Sequence, residues 1–146
     1  MTSRERSTVF SLDCGSTNFK GAVFDSDLMR LSEVSFPVTY TSSDDKIVEL
    51  DPVSIREMIV QLAEQACYEA GTAREEIGTV SIAGQAQTFA VFDAAGNALT
   101  PFISWLDRRA EDQALDLQAE LGGDFHDNCS FPVPSAQLQI SKILWL

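Results

Sequence analysis

Basic residues are scarce in this chain, ten against 22 acidic ones, and the formal net charge over 146 residues is -12. Nucleic acid and anionic membrane surfaces require a basic face, so neither is expected as a main partner. Histidine is nearly missing. His126 is the single one, and it reads as a surface residue in a polar loop, because no neighbour supports an acid–base role. Cysteine is limited to Cys14, Cys67 and Cys129, an odd number without metal-ligand spacing, which points to reduced thiols and a cytoplasmic setting. Cys14 reads as a small buried residue. No apolar run reaches membrane-spanning length, and the polar opening leads into no signal-type core. Linkers rich in Pro, Gly or Ser are also missing. What remains is a globular composition, 45% hydrophobic and 22% charged, with a length that suits one domain around one core.

Within that frame the hydrophobic pattern switches period. Residues 9–13 read as a mostly apolar strand, Gly15-Ser16-Thr17-Asn18 as a turn, and residues 19–25 as a second strand. Val34, Phe36, Val38 and Tyr40 alternate with polar residues and Pro37, the period of a third, half-buried strand at an edge or beside a bulge. Asp51 can cap a helix that Pro52 opens. Ile55, Met58, Ile59, Leu62, Ala66, Cys67 and Ala70 give that helix an apolar face, and Gly71 ends it. Residues 79–83 form a fourth strand. The 88–93 and 99–105 segments read as two more, joined by a turn at 94–97. Ala110, Ala114, Leu117 and Leu121 line a helix stopped at Gly122, and a last helix is expected from Ser135.

The first turn carries the chemistry. Asp13-Cys14-Gly15-Ser16-Thr17-Asn18-Phe19-Lys20 sets an acid at a strand end, small residues in the bend and a cation on the next strand. A bend of Gly, Ser and Thr lets backbone N–H groups approach phosphate oxygens, with hydroxyls as further donors. Asp13 can orient magnesium or its waters, and Lys20 can meet a terminal phosphate as a point charge. A plain hairpin with an exposed Asp fits the same residues. The run is not a Walker loop, because it leads into a strand and lacks the Gly-Lys-Ser/Thr ending. A net negative chain can hold phosphate this way, since the cradle is local.

Several segments resemble the FGGY family of carbohydrate kinases. Residues 11–20 are similar to its first phosphate motif. Ile82-Ala83-Gly84-Gln85-Ala86-Gln87 resembles its sugar-contacting strand end. Residues 92–99, followed by Pro101-Phe102-Ile103-Ser104-Trp105-Leu106-Asp107-Arg108-Arg109-Ala110, resemble a hairpin and a Trp-x-Asp-x-Arg element of xylulokinases and glycerol kinases. Ser141-Lys142-Ile143-Leu144-Trp145-Leu146 resembles the helix that follows. The resemblance implies an α/β fold of ribonuclease-H-like type, a mixed sheet with flanking helices shared with actin. It also implies ATP-dependent phosphorylation of a sugar or polyol hydroxyl, with magnesium. This chain would supply, over 1–146, the first part of the first kinase domain. The second domain, and the family's general-base aspartate, would lie beyond Leu146.

Carried over residue by residue, Asp13, Gly15, Ser16, Thr17 and Lys20 would face the ATP phosphates, with Asp13 reaching magnesium through water. Gln85, Ala86, Gln87, Trp105 and Asp107 would form the substrate side. Trp105 would stack on the sugar, and Asp107 would buttress the pocket or cap the segment at Arg108. Gln137 lies near another substrate position. Ala86-Gln87 departs from the Met-His of xylulokinases and the Arg-Glu of glycerol kinases, which leaves the substrate open. Ala86 favours a rival reading, a ribonuclease-H-like binding or regulatory module without catalysis. An actin- or chaperone-like ATPase would share the first turn but not the Gly84-Gln85 and Trp105-Leu106-Asp107 elements. The apolar end at Ile143-Leu144-Trp145-Leu146 suggests a chain cut from a longer one. It predicts exposed apolar surface through which the segment forms a homodimer.

Overall fold

A computed structural model describes residues 8–41 and 45–146. The described residues fall into two compact units, where length alone suggests one core. The first contains residues up to Thr39 together with Val53–Gln85, and the second Tyr40–Pro52 together with Ala86–Leu146.

In the first unit, β1 (Thr8–Cys14), β2 (Asn18–Phe24), β3 (Arg30–Pro37) and β5 (Ile77–Ala83) form one sheet in the order β3-β2-β1-β5. The β1–β2 and β2–β3 pairs are antiparallel, whereas β1 and β5 run parallel. Alternation decides which face is buried. Phe10 and Leu12 of β1, Phe19 and Val23 of β2, and Val34 of β3 turn inward, while Asp13 and Lys20 point to the other face. Helix α1 (Pro52–Ala70) covers the apolar face with Ile55, Leu62, Ala66 and Cys67. Gly21 permits this approach, since a Cβ there would stand 3.0 Å from the Phe10 ring and 3.5 Å from the Leu62 carbonyl oxygen. The buried Ser32 hydroxyl donates to the Ala66 carbonyl at 2.7 Å, so its polar atom is satisfied inside the core. Each buried Phe or Leu contributes about 1.5–3 kcal/mol through removal from water.

The ends of α1 are set by sequence. Pro52 occupies the first turn, where its missing N–H costs nothing. Gly71 adopts φ +63°, and the bonds Thr72 N–H to Cys67 O and Gly71 N–H to Tyr68 O close a Schellman motif. Pro37 ends β3, an edge strand of the sheet, the position in which a missing donor is tolerated.

The second unit pairs β4 (Glu49–Leu50) with β6 (Phe102–Ile103) and adds three helices: α2 (Glu111–Leu121), α3 (Asp124–Cys129) and α4 (Gln139–Trp145). Leu50, Ile103, Ala110, Ala114, Phe125, Ala136 and Leu138 form its buried cluster. Three expectations need correction here. The 88–93 and 99–105 segments make only isolated bridges, Phe89 with Ile103 and Phe92 with Ala98, apart from the two residues of β6. Scattered backbone bonds such as Leu99 N–H to Val91 O and Asp93 N–H to Asn97 O join the segments, and side chains add to them: the Thr100 hydroxyl accepts from Val91 N–H, and Asp93 accepts from the N–H groups of Ala95 and Asn97. His126 lies on a helix rather than in a loop, although it is exposed as expected. Phe125 anchors that helix in the core, and the Asn128 side chain donates to the Asp124 carbonyl. The last helix begins at Gln139, four residues later than expected, after a turn in which Leu138 N–H meets the Ser135 carbonyl.

Candidate functional site

The turn between β1 and β2 gathers five of the residues singled out by sequence. Asp13 and Lys20 are direct cross-strand partners and both are exposed. Their side chains therefore share the face of the sheet opposite α1, a short distance apart in the pairing geometry. Gly15 sits where a Cβ would come within 2.7 Å of the Asn18 carbonyl oxygen, so the bend closes only with glycine. Thr17 is exposed, and its carbonyl accepts from Val38 N–H at 2.9 Å, which ties the bend to the end of β3. Ser16 is half-buried beside it. Burial, reinforced by the neighbouring Asp13 carboxylate, pushes the Cys14 thiol up. That thiol stays protonated near neutrality and is no nucleophile.

Gln85 belongs to this same unit. Its side-chain amide donates to the Gly15 carbonyl at 3.0 Å, so the residue placed by sequence among the substrate contacts braces the bend. This contact lies 70 residues away along the chain. As for magnesium, the described residues contain no cluster of three or more His, Cys, Asp or Glu able to hold a metal. An exposed carboxylate beside hydroxyls suits a hard cation that keeps most of its waters and takes phosphate oxygens as further ligands. Asp13 fits that mode.

The residues of the second unit that the sequence analysis places on a substrate side occupy two neighbouring segments. Phe89 and Ile103 exchange backbone hydrogen bonds at 3.2 and 2.7 Å, and Trp105 N–H donates to the Thr88 hydroxyl at 3.0 Å. The 87–89 and 103–105 stretches thus run side by side, bringing Gln87 towards Trp105. Ala86 is exposed, Gln87 and Trp105 are half-buried. Gln87 adopts φ +65°, a conformation that side chains rarely take. Its side-chain oxygen accepts from Gln139 N–H at 2.6 Å, at the start of α4. Gln137 is exposed.

Asp107 is wholly buried. Its carboxylate accepts from Val48 N–H at 2.7 Å, from Arg109 N–H at 3.0 Å, and from the Arg109 guanidinium at 2.9 and 2.7 Å. Burial acts to raise its pKa, but the Arg109 side chain and the backbone donors outweigh it and hold the carboxyl below its usual range. The bond from Arg109 N–H, two residues on, is the one a cap makes, while the bonds from Val48 N–H and the Arg109 guanidinium brace two segments of the unit. Every oxygen is committed within the unit, and a direct bond from Asp107 to a substrate would require breaking one. Arg109 extends the network to Glu49 at 2.5 Å and lies over the Trp145 ring at 4.9 Å.

The profile of the FGGY family of carbohydrate kinases, N-terminal domain, matches residues 8–146. The chain belongs to that family. A glycerol kinase from Thermococcus gammatolerans is 29% identical over 140 residues, which is 94% of this chain and 28% of the relative. Two solved kinases share the fold: a xyloylose kinase from Brucella ovis, TM-score 0.85 at 20% identity, and a glycerol kinase from Plasmodium falciparum with ADP, TM-score 0.80 at 20% identity. The first match covers 94% of this chain and 28% of the other, the second 97% and 28%. The mixed sheet with flanking helices of this FGGY chain is therefore the ribonuclease-H-like sheet of sugar kinases and actin. The chain spans somewhat over a quarter of each relative. No helix among its described residues is long and apolar enough to cross a membrane.

Sequence reasoning missed the second row of residues. Gln139 and Glu49 carry no signal of their own, and Arg109 and Lys142 enter only within the segments that carry the family resemblance, with no role given, yet all four hold the 87–89 and 103–107 segments in place. One signal was available: Lys142 stands within the apolar run of α4, where a lysine has little reason to be unless its ammonium finds oxygens.

Proposed function

We propose that this chain supplies the phosphate-facing bend and part of the substrate surface of an ATP-dependent kinase acting on a sugar or polyol hydroxyl. It would form the first part of the first of two domains. The general base and most of the adenosine pocket would come from sequence outside these 146 residues, given how little of each relative the chain spans. The observation that carries the reading is the bend itself: Asp13 opposite Lys20, with a glycine between them that no other residue can replace. Asp13 would hold the waters of a magnesium ion. Lys20 would meet the negative charge of the terminal phosphate, and Gly15, Ser16 and Thr17 would let the backbone approach its oxygens. Magnesium would neutralise charge on the phosphates. Trp105 and Gln87 would contact the sugar or polyol, with Asp107 supporting them from behind. The reaction belongs in the cytoplasm, where ATP and reduced thiols coexist.

Phosphoryl transfer depends on positioning from both sides of the substrate. The isolated chain should therefore bind magnesium ATP weakly and transfer no phosphate to glycerol or xylulose. Calorimetric titration with ATP, with and without magnesium, tests the first half, and the Lys20→Ala variant should lose the heat of binding. Robust sugar phosphorylation by the isolated chain would sink the domain assignment. Undiminished ATP binding after Lys20→Ala would sink the phosphate role.

A second reading is favoured by Ala86 and by the engagement of the Gln87 side chain with α4. In it the segment is a ribonuclease-H-like binding or regulatory module that performs no catalysis. Joined to the part of a glycerol kinase relative that lies beyond the matched region, this chain should restore phosphorylation under the first reading and none under the second.

A further inference from the structure

Lys142 has no exposed surface at all, a rare condition for a lysine. Such residues are normally found in ion pairs. The nearest charges here are Asp107 and Arg109, and the Asp107 oxygens are already taken by Val48 and Arg109. The Lys142 ammonium instead donates to two backbone carbonyls, Ser104 at 2.6 Å and Gln87 at 3.4 Å.

Those two carbonyls are not arbitrary. Ser104 immediately precedes Trp105, and Gln87 follows Ala86. The two segments are otherwise joined by the Phe89–Ile103 bridge and by Trp105 N–H on Thr88. A backbone carbonyl has no rotamer of its own, so a donor that grips two of them fixes main chain rather than side chain. Gln87 needs such a hold. Its left-handed conformation is unfavourable for a side-chain-bearing residue. Helix α4 grips it twice, Gln139 N–H on the side-chain oxygen and Lys142 Nζ on the carbonyl.

We propose that Lys142 is a positioning residue: its ammonium clasps the Gln87 and Ser104 carbonyls and so sets the separation between Gln87 and Trp105. The role in substrate presentation rests on the preceding reading, in which those two residues face a sugar or polyol. A lysine that merely fills core volume would behave differently. Replacing it with methionine, of similar length, would then leave both segments where they are.

The experiment uses the 146-residue chain, isotopically labelled, followed by nuclear magnetic resonance. The peptide groups that carry the two carbonyls also carry the amide protons of Thr88 and Trp105. Burial pulls the Lys142 pKa down to about 8, with Asp107 opposing and Arg109 assisting. The Thr88 and Trp105 amide signals should therefore shift between pH 7 and 9 with the same midpoint as the Lys142 side chain. Lys142→Met should abolish that titration and speed amide exchange at Trp105 about tenfold, as expected for losing one hydrogen bond. Signals from β1, β2 and β3 should stay in place, which reports that the chain still folds. If Lys142→Met fails to fold, the wild-type titration alone decides. Thr88 and Trp105 signals indifferent to the Lys142 titration overturn the clasp.

Glycerol and xylulose are then titrated into both proteins, read at the Trp105 indole. A wild-type response that weakens about tenfold in Lys142→Met, a hydrogen bond's worth, supports the role in presentation. Equal responses in both overturn the proposal and leave the reading of the site standing. A response in neither shows that the isolated chain, with part of the substrate surface, does not hold these two polyols by itself, and the Thr88 and Trp105 titration then decides the clasp.

Discussion

Arg109 meets Asp107 with two parallel hydrogen bonds, Nε to Oδ1 at 2.9 Å and a terminal nitrogen to Oδ2 at 2.7 Å. The carboxylate is wholly buried, and the arginine side chain is only 11% exposed. Such a pair contributes little net stability by comparison with apolar packing, yet removing one member leaves the other charge stranded. Asp107→Ala should therefore destabilise the second unit by about 3–5 kcal/mol. Urea unfolding followed by Trp fluorescence measures this. A loss below about 1 kcal/mol, the range of exposed pairs, would mean that the network is a surface feature.

The same pair gives a pH dependence with a definite sign. The folded Asp107 carboxyl lies below its ordinary value because of Arg109 and the backbone donors, despite burial. Its stabilising contribution is complete above the unfolded value, about 3.9. It fades as pH falls below that value and through the folded one. Lys142 acts in the opposite range. Its folded pKa of about 8 lies below the ordinary 10.5, so between those values the unfolded chain holds more protons. Stability should rise with pH from about 8 to 10.5, by at most about 3 kcal/mol, and be flat with respect to this group below 8. Urea midpoints at closely spaced pH values check both limbs, and Lys142→Met should flatten the alkaline one.

Gly15 and Gly84 offer a paired test of the phosphate role proposed for the bend. A Cβ on Gly15 would stand 2.7 Å from the Asn18 carbonyl, whereas one on Gly84 meets nothing within 4 Å. Gly15→Ala must open the bend and should cost about 1–3 kcal/mol, as overpacking does. Gly84→Ala should lie within about 0.5 kcal/mol of the parent. ATP binding should disappear in the first variant and persist in the second. Equal ATP binding by both would remove the bend from the phosphate site.

The bend at Gly15 and helix α1 were readable because their signals are local: a strand run broken by small residues, and an apolar stripe between Pro52 and Gly71. The two-residue strands β4 and β6 carry no period to detect. The roles of Asp107 and Lys142 depend on partners 59 and 38 positions away, Val48 N–H and the Ser104 carbonyl. No pattern within a window reports those. Gln85 shows the same limit, since its amide serves a bend 70 residues earlier.

Strand β5 supports the remaining prediction, a homodimer formed through apolar surface. Among the described residues it pairs with β1 alone and forms the other edge of the sheet. Val80 and Ile82 stand opposite Phe10 and Leu12 in the register, so they continue the apolar face that α1 covers elsewhere. Yet they are 59% and 68% exposed. An unpaired edge with apolar residues beside it is a template for another strand. The isolated chain should self-associate as its concentration rises, with β5 at the contact. Lysine is the residue that natural edge strands use against such pairing. Val80→Lys with Ile82→Lys should weaken association at least tenfold, because two apolar side chains worth about 1.5–3 kcal/mol each no longer leave water. Sedimentation velocity over a range of concentrations measures the change. If the parent chain stays monomeric throughout, or the double variant associates as tightly as the parent, β5 is not the contact.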